Sequence, residues 1–442
     1  MYVIPDLPEA EPRLRERYAR LVMAHLTDAQ QMAAGLHALE PVCQPFAATQ
    51  AAWRFYHNPA VGLPQLVQPL QEATRQALAQ AGSGWGLVVH DWSELHYGTH
   101  RSKADRVTLT HHDDQGYELL SALVLDGQGQ PLGVVNQEVR AADGLHSTRR
   151  DQPVAAASAL DGLSEVLEHV EGLMLGPSLV HIVDREADSV AHYRQWSGRS
   201  YYWLVRADDS RQVRHADQEL RLCELAQRLE GWQKVRGVEY HGRPVEQWVA
   251  QAEVVLERPA WRNRVVKGKR VHACVPGPAL PVRLVICQLR DSQPQVLSQW
   301  LLLTNLPSTV DASTVALWYY YRWRIESFFK LLKQAGHQLE SWQQESAAAL
   351  ARRLLIVSMS CVVVWQLARS QHPQAQPLRQ LLVRLSGRQI NRCRDPQGFT
   401  LPALLAGLGV LLPMLLLLEQ YQPDQLRQML QAVLPGLPLD TS

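Results

Sequence analysis

Residues 178–188 read SLVHIVDREAD, a run of six mostly apolar residues that ends at an aspartate. A short run rich in Val and Ile and bounded by turn residues is typical of a strand buried on both faces. Residues 85–91 read WGLVVHD and repeat the arrangement, with Asp91 in the place of Asp184. We therefore expect two buried strands, each ending at an aspartate.

The segments around these strands complete an α/β pattern. Residues 106–139 form apolar or alternating runs broken by DGQG at 126–129, which predicts a strand–turn–strand unit. Helical patterns follow at 158–172 and after residue 188, and residues 200–207 (SYYWLVRA) predict a further strand. The order strand, hairpin, helix, strand, helix, strand indicates an α/β fold, a mixed sheet with helices on its faces.

A polar stripe is predicted on one helix, which spans residues 311–336 between a capping aspartate and a terminal glycine. Four polar residues recur along it: Tyr319, Arg322, Glu326 and Lys333. Because a helix turns by about 100° per residue, all four share a narrow sector. Lys330 and Trp323 flank the stripe. A carboxylate suits a divalent metal, cations suit phosphates and aromatic rings suit unstacked bases. The alternative is a solvated face with a Glu326–Lys330 pair.

Asp91 and Asp184 are expected to converge if their strands are neighbours, because ligands bind beyond the carboxyl ends of such strands. An aspartate of this kind taken alone is more often a helix cap or a turn residue. With Glu326 they make three carboxylates, which could hold two hard cations.

Basic charge is gathered in two blocks, although the net charge of the chain is only +1. Residues 258–270 hold six cations and no acid, and residues 346–394 hold eight arginines and no acid. Such blocks are typical of a chain that follows a phosphate backbone. In the first block we expect DNA contacts from four residues: Arg262, Arg264, Lys267 and Lys269. A solvated basic hairpin is the alternative.

The composition also bears on the compartment. The six cysteines include no C-x-x-C pair, which fits neither a disulfide framework nor a zinc site. Residues 1–20 do not resemble a signal peptide, so we expect a reduced, cytoplasmic protein. Residues 401–418 (LPALLAGLGVLLPMLLLL) match a membrane span in length. Because prolines and glycines interrupt them, we expect a buried hairpin of two short helices, or a subunit contact, and no membrane.

The stripe resembles a known signature. Tyr319-x2-Arg322-x3-Glu326-x6-Lys333, with RWRIE contiguous from Arg322, resembles the YREK signature of bacterial insertion-sequence transposases of the IS-four family. Asp91 after WGLVVH and Asp184 in DREAD resemble that family's two acidic motifs. AATQAAWRFYHNP, which begins at residue 47, resembles its DNA-binding region, and QWLLLT, which begins at residue 299, resembles the strand before the glutamate helix. The resemblance covers about residues 10–370.

The resemblance implies an RNase H-like mixed sheet with an inserted β subdomain, plus α-helical N-terminal and C-terminal regions. We expect a helical DNA-binding domain at 1–80 and the first part of the catalytic core at 81–207. The β subdomain is expected at 208–298, and the second part of the core with the glutamate helix at 299–345. A helical region for dimerisation or DNA contact is expected at 346–442.

The resemblance also implies an activity, cut-and-paste DNA transposition through a DNA hairpin, by a bacterial homodimer acting on terminal inverted repeats and target DNA of the nucleoid. The implied metal ligands, for two Mg2+ or Mn2+ ions, are Asp91, Asp184 and Glu326. The implied phosphate contacts are Tyr319, Arg322 and Lys333, with Lys330 beside them. The implied supports for a base pulled out of the stack are Trp300 and Trp323.

Two alternatives stay open on the sequence. Asp91 is followed by Trp92 and Ser93, where the family usually has small hydroxyl residues. A catalytically inactive descendant that binds transposon ends as a repressor is therefore one alternative. A metal phosphohydrolase is the other, and its candidate ligands are His90, Asp91, His111, His112 and Asp113.

Overall fold

A computed structural model describes residues 4–27, 45–240, 243–257, 259–266, 269–275, 277–291, 295–333, 335–390 and 397–433. The strands in these residues are β1 Trp85–His96, β2 Val107–Thr108, β3 Gln115–Asp126, β4 Pro131–Ala141, β5 Gly144–Ser147, β6 Ser178–Val183, β7 Tyr202–Arg206, β8 Gln212–His215, β9 Gln218–Arg221, β10 Gln233–Tyr240, β11 Arg243–Leu256, β12 Ala260–Val266, β13 Lys269–Val275, β14 Leu280–Arg290 and β15 Val296–Thr304. The α-helices are α1 Pro12–Thr27, α2 Pro45–His57, α3 Leu63–Ala81, α4 Ala159–Gly172, α5 Val190–Gly198, α6 Leu222–Arg228, α7 Ala312–Tyr320, α8 Trp323–Leu332, α9 Ala347–Arg369, α10 Ala375–Leu385, α11 Leu401–Gln420 and α12 Pro423–Val433.

The chain forms two compact units. The sheet unit combines Gly62–His96 with Asp105–Phe329, and the helical unit combines Met1–Val61, Tyr97–Ala104 and Lys330–Ser442. All fifteen strands of the described residues lie in the sheet unit. The five sequence regions given above stay predictions of the domain organisation.

Thirteen strands of the described residues form one mixed sheet in the order β5-β4-β3-β1-β6-β7-β15-β14-β11-β8-β9, with β10 on β11 and β2 on β3. β1, β6 and β7 run parallel to one another. The other neighbours in this sheet are antiparallel, and β12 and β13 form a separate hairpin. The predicted mixed α/β fold is confirmed. The strands β8 to β11 and β14 continue the sheet beyond β15.

Local sequence explains the elements around β1 and β6. In the turn between β3 and β4, Asp126 Oδ1 accepts hydrogen bonds of 2.9 Å from the backbone N–H groups of Gln128 and Gln130. Gly129 has φ +77°, a conformation that glycine adopts without strain. The crossover from β5 to β6 contains α4, whose first turn is capped by the Ser158 hydroxyl on the Asp161 N–H. The predicted strand–turn–strand unit is confirmed.

Two predicted boundaries are wrong. β1 does not end at Asp91, because its pairing with β3 continues to His96. The predicted helix over 311–336 is two helices, since α7 ends at Tyr320 and α8 begins at Trp323. Tight i→i−3 hydrogen bonds form the junction: the Arg322 N–H donates to the Tyr319 carbonyl at 3.0 Å, and the Arg322 carbonyl accepts from Ile325. Tyr321 and Arg322 therefore lie in a turn, which reorients the polar stripe.

In the helical unit, α9 lies at the centre, with α1, α2, α10 and α11 packed against it. Its side chains are buried along most of its length. The segment from Tyr97 to Ala104 belongs to the same unit, where the Tyr97 hydroxyl and the Lys103 ammonium donate to the carbonyls of Leu339 and Gln344.

The apolar run at 401–418 forms one helix, α11, so the predicted hairpin of two short helices is wrong. By length and composition, α9 and α11 are the two helices of the described residues that could cross a membrane. The most apolar stretch of α9 is 83% buried inside the protein, and that of α11 is 22% buried. A buried core helix meets the same criterion, so composition alone does not indicate a membrane protein.

Candidate active site

Asp91 and Asp184 lie side by side on neighbouring parallel strands. The pairing of β1 with β6 runs from Trp85 opposite Ser178 to Val89 opposite Ile182. Continuing that register by two residues places Asp91 opposite Asp184, which directly follows β6. Sequence reasoning therefore paired the two aspartates correctly, although Asp91 lies inside its strand and not at its end.

Glu326 and Arg322 join the two aspartates from the junction of α7 and α8. Arg322 Nη1 lies 3.2 Å from Asp91 Oδ2. Arg322 Nη2 lies 3.5 Å from Asp184 Oδ2 and 2.7 Å from Glu326 Oε1. These four side chains are called the Arg322 cluster below. It brings together residues that are 231 positions apart in the chain.

Asp184 is held by further hydrogen bonds. The Tyr319 hydroxyl donates to Asp184 Oδ1 at 2.9 Å, and the Arg185 N–H donates to the same oxygen at 2.7 Å. Burial alone would raise the pKa of Asp184, but Arg322 and these two donors hold that pKa below its ordinary value. Asp184 is therefore ionised in the folded protein at neutral pH.

Asp91 is in a less polar setting. Burial raises the pKa of Asp91 to about 6, against the opposing effects of Arg322 and of the Trp92 N–H that donates to Asp91 Oδ1. Its side chain is 20% exposed, against 34% for Asp184 and 56% for Glu326. The two aspartates share one guanidinium group, yet their pKa values move in opposite directions. Asp91 is more deeply buried and is repelled by Asp184 and Glu326, whereas Asp184 accepts hydrogen bonds from Tyr319 and Arg185.

The donor set of the Arg322 cluster is carboxylate oxygen, which suits Mg2+ or Mn2+. In the described residues, however, no group of three or more His, Cys, Asp or Glu side chains is arranged to hold a metal ion. The carboxylates of the cluster are directed at the guanidinium group of Arg322. The ligand chemistry fits a hard cation, and Arg322 provides the positive charge in its place.

Aromatic side chains lie next to the cluster. The ring centroid of Trp300 lies 5.9 Å from that of Tyr319 and 5.8 Å from that of Trp323. Trp300 is 7% exposed and Trp323 is 40% exposed. Tyr320, which sequence reasoning missed, lies 5.1 Å from Trp323 and is 39% exposed. The exposed aromatic surface is therefore formed by Trp323 and Tyr320, with Trp300 beneath Trp323.

The remaining predicted site residues are not part of the Arg322 cluster. In the helical unit, Lys333 lies 3.4 Å from Glu340, and Lys330 is exposed on the last turn of α8. Arg262 and Arg264 lie on β12 and Lys269 lies on β13. Lys267 is outside the described residues.

The arginine-rich block at 346–394 is partly structural. Arg352 donates to the carbonyls of Val61 and Tyr56, Arg379 donates to carbonyls at the end of α9, and Arg388 donates to the Ala335 carbonyl. Arg353 is fully buried. The guanidinium groups of these four arginines thus help to complete the fold, and contact of the block with a DNA backbone stays a prediction.

The histidines of the phosphohydrolase alternative are dispersed. His90 is fully buried, and its Nε2 lies 2.8 Å from His181 Nδ1. His112 and Asp113 contact each other, and both are more than nine-tenths exposed. The structure does not join them to Asp91 in any ligand group of the described residues.

Arg206 is a further residue that sequence reasoning missed. It is the last residue of β7, and its charge contributes to lowering the pKa of Asp184. The signal that selected Asp184, a polar residue at the end of a buried parallel strand, also applies to Arg206.

Comparison with known proteins is consistent with this geometry. Residues 154–362, just under half of the chain, match the family model described as Transposase DDE domain. That match includes Asp184, Arg322 and Glu326, and it begins after Asp91. No curated protein sequence matches the chain. A cryo-EM structure of the piggyBac transposase synaptic complex with hairpin DNA is similar at a TM-score of 0.36 and 10% identity, covering 96% of this chain and 76% of that chain. By the family model, residues 154–362 are similar to a transposase DDE domain.

Proposed function

We propose that this protein is a DNA transposase that cuts and rejoins phosphodiester bonds at the ends of an insertion sequence. The observation that carries the proposal is the Arg322 cluster. Three carboxylates from β1, the end of β6 and α8 meet at one guanidinium group. They do so in a chain whose residues 154–362 are similar to a transposase DDE domain.

Asp91, Asp184 and Glu326 would hold the divalent cations, Mg2+ or Mn2+, two for each site. Two such ions would activate the attacking oxygen and stabilise the leaving oxygen of a phosphodiester. The protein's own contribution is to place three carboxylates within reach of one another on rigid elements. Asp184 is ionised and oriented by the Tyr319 hydroxyl and the Arg185 N–H.

Positive charge beside the carboxylates would bind the DNA strand. Arg322 and Arg206 lie at the cluster, and Tyr319 offers a hydroxyl next to them. Lys330, Lys333 and the four cations predicted in the block at 258–270 would also contact the DNA backbone. Guanidinium groups suit this role because they bind phosphate with two parallel hydrogen bonds.

A DNA hairpin is the intermediate that the aromatic surface supports. Closing a hairpin forces the terminal base out of the stack, and an aromatic ring recovers about 1–3 kcal/mol of the lost stacking. Trp323 and Tyr320 are exposed enough to receive such a base, while buried Trp300 would fix the orientation of Trp323. The cleavage and joining steps would then use one site in succession.

The sheet order and strand directions support assigning the sheet unit to the RNase H-like fold that the resemblance implies. We also propose that the protein is a member of the IS-four family. We further propose a homodimer that pairs two transposon ends in the bacterial cytoplasm. Residues 414–418 of α11, each 39–49% exposed and all apolar, are a surface that a second copy could cover.

We expect inverted repeats to flank the protein's own gene, and these would provide the substrate for a test. A labelled duplex carrying one repeat is incubated with the protein and Mg2+, and the products are separated on a denaturing gel. We expect a nick at the repeat end, then a hairpin, and neither product with EDTA. The second candidate is a repressor that binds transposon ends, and the observation that favours it is Trp92 beside Asp91. Specific binding without any metal-dependent nick would support this candidate instead.

A further inference from the structure

Arg322 occupies the place where the three carboxylates meet. Its side chain is 8% exposed, and its two terminal nitrogens contact Asp91, Asp184 and Glu326. Its Nε has no hydrogen-bond partner in the described part of the chain. Every side-chain contact of its guanidinium group is thus made with a carboxylate that we propose as a cation ligand.

A divalent cation and Arg322 would compete for the same oxygens. Mg2+ requires oxygen ligands at about 2.0–2.1 Å in near-octahedral geometry. The Glu326 oxygen at 2.7 Å from Nη2 is already directed at the guanidinium group. Two like charges held within a few ångströms of each other in a partly buried site also repel strongly. A cation can therefore be fully bound only after Arg322 has moved.

The position of Arg322 in the chain makes that movement feasible. Arg322 lies in the turn between α7 and α8, outside the regular part of either helix. A guanidinium group binds a phosphate through two parallel hydrogen bonds, as it binds a carboxylate. A phosphate of a bound DNA end could thus replace a carboxylate as the partner of the guanidinium group of Arg322.

We propose that Arg322 is a displaceable counter-ion of the active site. It offsets part of the negative charge of the carboxylates in the protein without DNA, and it leaves them for a DNA phosphate when the divalent cations bind. The inference rests on the proposed function, since it takes the three carboxylates as cation ligands. Because coupling between two ligands is reciprocal, DNA would strengthen cation binding by the same factor as the cation strengthens DNA binding.

Binding of Mn2+ to the full chain without DNA, followed by the EPR signal of the free ion, tests the proposal. Arg322→Gln removes the competing charge, so it should bind Mn2+ more tightly than the wild type, by roughly 5- to 150-fold if the coupling is of ordinary size. The matched control is Arg324→Gln, the same substitution at an exposed position of α8, which should bind Mn2+ as the wild type does.

Thermal unfolding is the second measurement. Without Mn2+, Arg322→Gln should melt at a lower temperature than the wild type, because three carboxylates are left without their cation. Saturating Mn2+ should raise its melting temperature more than it raises that of the wild type. If Arg322→Gln does not fold, Arg322→Lys decides the matter, because a single ammonium group bridges the carboxylates less well. Tighter Mn2+ binding by the Lys variant supports the proposal, and unchanged binding overturns it.

The outcomes also separate this inference from the proposed function. Equal Mn2+ binding by the wild type and Arg322→Gln, lost in both when Asp184 is changed to Asn, would reject the counter-ion role and leave the metal site intact. If no protein shows Mn2+ binding that depends on Asp184, the metal-dependent function itself fails.

Discussion

Arg322 and Arg353 are both buried arginines that the sequence places among candidate DNA-binding residues, but their surroundings differ. Arg322 contacts three carboxylates, which raise its pKa above the ordinary value against the effect of burial. Arg353 donates to Gln344 Oε1 at 2.9 Å and lies over the ring of Trp342 at 4.2 Å. Burial lowers the pKa of Arg353 to about 10.

The difference distinguishes the proposed active site from a packed core. Arg353 contacts the uncharged side chains of Gln344 and Trp342, so it serves the helical unit as a polar part of the core. In the Arg322 cluster, three carboxylates outnumber one guanidinium group, and the excess negative charge favours the binding of further cations. The surroundings of Arg353 contribute to the stability of the fold, and the Arg322 cluster is suited to bind cations.

The largest expected effect tests the reactive side of this comparison. Asp184→Asn removes a proposed cation ligand, and metal catalysis contributes several kcal/mol to such reactions. Cleavage of the inverted-repeat duplex should fall by about a thousandfold or more, measured as single-turnover nicking. Binding of the duplex should be kept, and circular dichroism should show a folded chain. Nicking within tenfold of the wild type would remove Asp184 from the site.

The next effect tests the structural side. Arg353→Ala removes a ring contact, leaves Gln344 Oε1 without its donor and opens a cavity, so it should lower the free energy of unfolding by about 2–5 kcal/mol. Urea unfolding measures this loss. Nicking below the unfolding transition should match the wild type, whereas Arg322→Ala should reduce nicking. A large loss of nicking in folded Arg353→Ala would place Arg353 in the functional machinery.

Sequence alone could predict which residues form the Arg322 cluster better than it could predict the geometry of the cluster. The mixed sheet and the pairing of Asp91 with Asp184 follow from apolar runs that each end in an aspartate. The break between α7 and α8 does not, because a helical pattern continues through Tyr321 and Arg322 while tight local hydrogen bonds decide the turn. The structural role of Arg353 was hidden for a similar reason: its partners, Trp342 and Gln344, are recognisable only after folding.

A smaller effect concerns pH without divalent cations. The folded pKa of Asp91, about 6, lies above its ordinary value of 3.8, so the folded protein keeps this proton over that window. Raising the pH from about 4 to 6 removes the proton from Asp91 of the unfolded chain while the folded protein still holds it, so the stability that this group contributes should fall by up to about 3 kcal/mol. Asp91→Asn lacks the titration, so its melting temperature should rise relative to the wild type over this window and stay level above it. A difference that is independent of pH would contradict the raised pKa.

The smallest effect isolates one hydrogen bond of the reactive cluster. Tyr319→Phe removes the hydroxyl that donates to Asp184 Oδ1 and keeps the ring that packs near Trp300. One such bond contributes about 0.5–1.5 kcal/mol, so the Mn2+ affinity should change by roughly two- to tenfold. The direction is a loss, because Asp184 becomes less well oriented. Tyr56→Phe is the matched control, since the Tyr56 hydroxyl bonds His25 in the helical unit and should affect stability alone. Equal Mn2+ affinities in Tyr319→Phe and Tyr56→Phe would show that Tyr319, like Arg353, serves packing and not the site.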